Sequence, residues 1–226
     1  MKKRMIKYGS IDQFRQIVKL MQRSDNPPTI TVNLTEKIHG TNGSVCFSEP
    51  LGLWTQSKNN IITPENDNAG CAQFIHEHRI DLINAIREVA RVNQIDLNQE
   101  IITLYFEWCG GNIQKNSCVS GLSKRAILFD HFRVSGAKEI VDDCGNIVNC
   151  RWLPLDRGFI VYLNHFYHVN DFDTWALEID FNKPAEAQNR MLDIVAKIEA
   201  NSPIGQRFSE EPKIGEGVVG TFFYQD

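Results

Sequence analysis

Phe14, Ile17, Val18 and Met21 recur at helical spacing and predict a short helix with one apolar face. Ser10 to Gln13 reads as a capping box at its start, and Pro27 and Pro28 cannot continue it. From Thr29 the period changes to two: Ile30, Val32 and Leu34 alternate with Thr31, Asn33 and Thr35, which predicts a strand. Val45 to Phe47 predicts a second strand, paired with the first through a turn at Gly40 to Gly43. The longest helical stretch runs from Cys71 to Asn93, with Phe74, His78, Leu82, Ile86 and Val89 on one face.

Strands are predicted over Ile101–Glu107 and Ala126–Val134, and a weaker one over Gly158–Leu163. Pro184 suits the first turn of a helix ending at Ala200, with Ala187, Met191, Ile194, Val195 and Ile198 as its stripe. Gly215 to Tyr224 is strand-like. Helices and strands mix without a βαβ rhythm, so the pattern predicts an α+β fold with mostly antiparallel sheets flanked by helices.

The 226 residues are 42% hydrophobic and 23% charged, a globular composition long enough to bury roughly 70% of the unfolded surface. The net charge of −4 argues against a protein that coats nucleic acid by bulk charge and leaves room for a local basic groove. No apolar run approaches the ~18 residues a bilayer span needs. The basic start, Met1 to Lys7, has no long apolar stretch behind it, so an intracellular, non-membrane protein is expected. Cys46, Cys71, Cys109, Cys118, Cys144 and Cys150 form no C-x-x-C pair, which predicts reduced thiols and no structural zinc. His76 and His78, two apart on a helix, cannot share a face and predict no metal site.

The most informative segment is Glu36, Lys37, Ile38, His39, Gly40, Thr41 and Asn42. A lysine at the end of a buried strand, followed by a glycine turn, is placed for nucleophilic work. A lysine alone would be a solvated surface group, and well under about 1% of free lysine is neutral at pH 7. A nucleophilic one needs partial burial or nearby cations. Glu107 follows Tyr105 and Phe106 in an apolar strand, where a carboxylate demands a partner. That partner is either structural or functional.

The string from Glu36 to Asn42 resembles the nucleotidyl-acceptor motif of covalent nucleotidyltransferases. With His39 followed by Gly40, Thr41 and Asn42 it is similar to the RNA ligase 2 family, which includes the kinetoplastid RNA-editing ligases. DNA ligases and capping enzymes carry aspartate where His39 stands. Three later segments resemble further motifs of the family in the same order: Leu104 to Gln114 around Glu107, Leu128 to Val134 around Phe129, and Glu216 to Val219. The resemblance implies the nucleotidyltransferase fold of DNA ligases and capping enzymes, which is ATP-grasp-like, in a single adenylyltransferase domain over 1–226.

It further implies Lys37 as the AMP acceptor, with His39 and Asn42 contacting phosphate oxygens or the nucleic-acid end. Glu36, Ser57, Lys58, Glu107, Phe129 and Glu216 would bind the nucleotide, Phe129 by stacking on adenine. Phe132 is a rival for that stacking role. Glu216 and, through water, Glu107 would serve Mg²⁺ or Mn²⁺. Lys58 stands where the family usually has arginine, a point charge in place of a bidentate fork. The family's fifth, K-x-K-like motif and its carboxy-terminal domain have no counterpart in the ten residues that follow Glu216, up to Asp226, so either a piece of a longer ligase or a form that has lost them is expected. ATP and RNA ends, a 5′-phosphate and a 3′-hydroxyl, are the expected partners of a monomer. Another polynucleotide ligase, or a non-catalytic nucleotide- or RNA-end-binding relative, is the alternative.

Overall fold

The apolar alternation after Thr29 becomes a strand with a partner on each edge, and the rest of the architecture follows from where such strands find partners. The structure, a computed structural model, describes residues 2–142, 147–160 and 163–223. In chain order the elements begin with α1 (Phe14–Met21), β1 (Thr29–Glu36), β2 (Thr41–Ser48), β3 (Gly52–Ser57) and β4 (Ile61–Ile62). Then come α2 (Cys71–Glu77), α3 (Arg79–Val92), β5 (Glu100–Cys109), β6 (Arg125–Gly136), β7 (Cys150–Pro154) and β8 (Phe166–His168). The chain continues with β9 (Thr174–Asp180), α4 (Pro184–Ala200), α5 (Pro203–Phe208) and β10 (Val218–Thr221).

These elements form two compact units, each assembled from three stretches of chain. One unit holds residues 9–39, 114–122 and 172 onward. Its sheet has the order β10-β1-β9, antiparallel throughout. Val32 and Leu34 bury one face of β1 against Leu177, Ile179 and Phe181, and α1 and α4 cover that core through Ile17, Val18, Met191 and Ile194. The capping box of α1 uses Gln13 and Gln16, one turn later than the Ser10 start expected from the sequence.

The other unit holds residues up to Tyr8, 40–113 and 123–171. Its sheet runs β4-β3-β2-β5-β6-β7, with β8 parallel to β6. Val45, Leu104, Phe106, Leu128 and Phe132 pack on Ile75, Leu82 and Ile86 of α2 and α3. The opposite face is covered by the amino-terminal strap, where Ile6 joins Cys46, Trp54 and Ile101. The Ile6 N–H donates to Gln56 Oε1 at 2.8 Å, and Tyr105 Oη donates to the Ile6 carbonyl at 3.1 Å.

Three expectations change. β1 and β2 do not pair: β3 and β5 occupy both edges of β2, and β9 and β10 both edges of β1. The helix from Cys71 to Asn93 is two, broken at His78 (φ −98°, ψ 11°). Of the strand expected over Gly158–Leu163, residues 158–160 are not extended: Asp156 Oδ1 accepts the Gly158 N–H at 2.6 Å and 157–160 fold into a 3-10 turn. The sequence pattern does not predict strands β3, β4, β7, β8 and β9, although Trp175, Leu177 and Ile179 alternate in β9.

Among the described residues Cys46, Cys71, Cys109, Cys118 and Cys150 are free thiols, and burial pushes Cys46 and Cys71 up to about 12. Cys144, Val161, Tyr162 and Tyr224 lie outside the described residues. Among the described residues no helix is long and apolar enough to cross a membrane.

His168 is buried as a neutral ring. Nε2 lies 3.0 Å from the Leu155 carbonyl, and Nδ1 accepts the Asn170 N–H at 3.1 Å. Burial pulls its pKa below the usual histidine value, with Asp171 opposing. The unfolded chain therefore takes up this proton first as pH falls. The contribution is present above about pH 6.5 and is lost as the pH drops from there through the depressed value. Melting temperature is expected to fall between pH 7.5 and pH 5, and the fall should shrink in His168→Gln; an unchanged pH profile in that variant contradicts the assignment.

Candidate functional site

β1 ends in Glu36, and antiparallel pairing sets Glu36 opposite Val218 of β10. One step on, the Lys37 N–H donates to the Gly217 carbonyl at 2.8 Å. Two residues 179 positions apart in the chain are thereby brought face to face: Lys37 Nζ pairs with Glu216 Oε1. His39 Nδ1 stands 3.9 Å from the other oxygen of the same carboxylate. All three side chains are partly exposed, at 45% for Lys37, 34% for Glu216 and 44% for His39, so the amine is reachable from solvent.

Glu36 is a different kind of residue. Its side chain is buried, and the carboxylate accepts from Ser202 Oγ at 2.6 Å and from the Ile204 N–H at 3.0 Å. Burial raises its pKa, opposed by these hydrogen bonds and by one from Cys118. The side chain expected to bind a nucleotide is engaged by the start of α5.

The other expected residues belong to the second unit. Gly40 is pressed against β5, and its N–H donates to Glu107 Oε1 at 3.1 Å, which is the partner a half-buried carboxylate requires. Asn42 pairs directly across from Glu107 in the β2–β5 ladder, so the two share a sheet face. Ser57 closes a turn, its Oγ 3.2 Å from the Asn60 carbonyl and 3.3 Å from the Asn60 N–H. Lys58, just past β3, is exposed.

Phe129 sits where the β5–β6 register shifts, between the pairs Phe106–Leu128 and Leu104–Phe132. Phe129, Asp130 and His131 bulge there against Tyr105 alone, and Phe129 is half-buried, 5.1 Å from the Tyr8 ring. Phe132, the rival, is buried in the helix-facing core. The sequence reading missed Tyr8, Asp130 and His131, which form a chain: Tyr8 Oη to His131 Nε2 at 2.9 Å, and His131 Nδ1 to Asp130 Oδ1 at 2.7 Å. It also missed Ser202, whose position before Pro203 marks a helix cap. Among the described residues no group of three or more His, Cys, Asp or Glu side chains could hold a metal ion.

No protein-family model and no curated protein matches the chain. Its fold is similar to that of an RNA ligase from Naegleria gruberi. A lysine-to-alanine variant of that ligase with ATP and Mn superposes with a TM-score of 0.53 at 16% identity, over 95% of this chain and 52% of the ligase. The ligase with PPi gives a TM-score of 0.52 at 16% identity, and an apo variant 0.53 at 17%, each over the same shares. The chain therefore has a mixed α and β fold with mostly antiparallel sheets, similar to that of this RNA ligase, and spans about half the ligase's length.

Gly40 has no room for a side chain: a Cβ there would lie 2.5 Å from the Trp108 carbonyl oxygen, 2.8 Å from Cys109 Cβ and 3.0 Å from Glu107 Cγ. Gly40→Ala is expected to destabilise the fold by roughly 1–3 kcal/mol through overpacking. The check is the urea midpoint at unchanged m value; a wild-type midpoint would show that β5 yields freely.

Proposed function

We propose that this chain is the adenylyltransferase part of an ATP-dependent RNA ligase of the RNA ligase 2 type, acting on RNA ends inside the cell. The observation that carries this reading is the Lys37–Glu216 pair, an acceptor-type lysine held at a carboxylate from a motif far along the chain. The fold likeness supports it, because the similar ligase was solved with ATP and Mn and with PPi, the substrate, metal class and product the reaction needs.

In this reading Lys37 gives up to water the proton it holds in its ion pair with Glu216, and the neutral amine attacks the α-phosphorus of ATP. A P–N bond forms, the bond to pyrophosphate breaks, and pyrophosphate leaves with its electron pair. The proton released by the amine passes to Glu216, the carboxylate in contact with it, or to water. A 5′-phosphate oxygen of an RNA end then attacks the adenylate phosphorus, forming a pyrophosphate bond as the P–N bond breaks and the Lys37 amine leaves, taking up a proton. The 3′-hydroxyl of a second end loses its proton to water, attacks the RNA phosphate, forms the phosphodiester and expels AMP. Each step is a phosphoryl transfer governed by positioning and charge. His39, beside Glu216, would contact phosphate oxygens. Asn42 and Glu107, on one sheet face, offer an amide and a carboxylate to sugar hydroxyls or the RNA end. Phe129 offers a ring to the adenine and Lys58 a charge to the phosphates.

The donor set fits a hard divalent cation. Glu216 would supply one carboxylate, as in Mg²⁺ or Mn²⁺ sites that share a carboxylate with substrate phosphates, and Glu107 would act through water. When bound, such an ion neutralises phosphate charge.

Incubation with ATP labelled at the α-phosphate and Mg²⁺ or Mn²⁺ should leave acid-labile label on the protein after denaturing electrophoresis. Lys37→Ala should abolish it, a loss on the order of 10²-fold or more for a nucleophile. Phe129→Ala should raise KM for ATP roughly 5- to 100-fold, the scale of base–aromatic stacking. A wild-type chain that binds ATP and stays unlabelled would overturn the ligase reading in favour of a nucleotide-binding protein.

A further inference from the structure

The residue just before Lys37 carries a carboxylate that the proposed chemistry does not use. Glu36 is 2% exposed, Ser202 and Ile204 are fully buried, and Cys118 is 2% exposed. The carboxylate accepts from the Ser202 hydroxyl, from the Ile204 N–H and from the Cys118 thiol. Ser202 Oγ in turn accepts the Gly205 N–H at 2.9 Å, and the Ser202 N–H donates to the Lys213 carbonyl at 2.7 Å.

From Lys213 the chain runs straight into the segment bearing Glu216. Gly215 donates its N–H to the Ile198 carbonyl at 3.1 Å, at the end of α4. It passes so close to Glu36 that a Cβ at 215 would lie 2.6 Å from Glu36 Oε1. Two residues later the Gly217 carbonyl takes the Lys37 N–H. The buried carboxylate therefore touches both chain segments that present the amine and its partner, without itself reaching solvent.

We propose that Glu36 is a positioning residue: clamped by Ser202, Ile204 and Cys118, it locks the end of β1 to the 213–217 segment and so holds Lys37 against Glu216. A carboxylate serves this site best, because both Glu36 oxygens face donors. An amide at 36 could accept from only one of them: with its NH2 toward Ile204 it would set donor against donor, and with its NH2 toward Ser202 it would leave the Ser202 O–H without its acceptor.

The test reads Lys37 directly. Trace acetylation with acetic anhydride, followed by peptide mass spectrometry, gives the rate at Lys37 relative to Lys19, an exposed lysine on α1 of the same unit. Glu216→Gln should raise that ratio about threefold by removing an exposed ion pair. Glu36→Gln should raise it by a similar factor with the circular dichroism of the wild type. General loss of structure would raise the ratio as well, but with a changed circular dichroism. Ser202→Ala decides the matter if Glu36→Gln does not fold.

A wild-type ratio in folded Glu36→Gln, or in Glu216→Gln, overturns the proposal. Only the catalytic consequence rests on the ligase reading: Glu36→Gln should lower kcat for self-adenylylation about tenfold or more while KM for ATP holds. A wild-type protein inert toward ATP that still shows the labelling pattern would overturn the ligase reading and support the positioning role.

Discussion

Antiparallel pairing between β1 and β10 is the constraint on which the lysine site depends. Backbone register has no chemistry of its own, yet it decides which side chains from distant segments face each other. With Glu36 opposite Val218, the next backbone bond runs from Lys37 to Gly217, and Glu216 has nowhere to be except beside the lysine. A slip of one residue would turn every β1 side chain to the other face and expose Val32 and Leu34, so the apolar core enforces the register the site needs. Packing energy, delocalised over a hydrophobic cluster, is in this way converted into the placement of a single ion pair.

The second unit applies the same logic with a different device. Gly40 lies against β5 so closely that only hydrogen fits, and the contact lets its N–H satisfy the Glu107 carboxylate. A half-buried carboxylate without such a donor would carry a desolvation cost. The ladder then adds Asn42 on the same face. At Phe129 the sheet departs from regularity, and three β6 residues bulge against one on β5. Bulges re-aim side chains, and this one gathers Tyr8, His131 and Asp130 into a hydrogen-bonded chain beside the phenylalanine ring.

Glu36 and Lys37 show how adjacent residues take opposite environments at a strand end. The carboxylate turns inward, where a hydroxyl, a thiol and a backbone N–H compensate for the lost water. The amine turns outward to a partly exposed partner. The alternation of a strand makes this possible, since successive side chains point to opposite faces.

Much of this was legible in the chain. The helical stripe of α4, the alternation of β1 and the apolar runs of β5 and β6 are local signals, carried by periodicity within a few residues, and they predicted those elements. The string from Glu36 to Asn42 likewise marked the segment that carries the lysine. Pairing was not legible. β1 and β2 are neighbours in sequence and belong to different sheets, because strand edges are filled by competition among all strands. Nor did any local pattern distinguish the buried Glu36 from a ligand-facing one, or connect it with Ser202, 166 residues away. Sequence alone determined which chemical groups stand at the strand end. Their partners were decided by the tertiary structure, since burial and register are properties of the whole packed sheet.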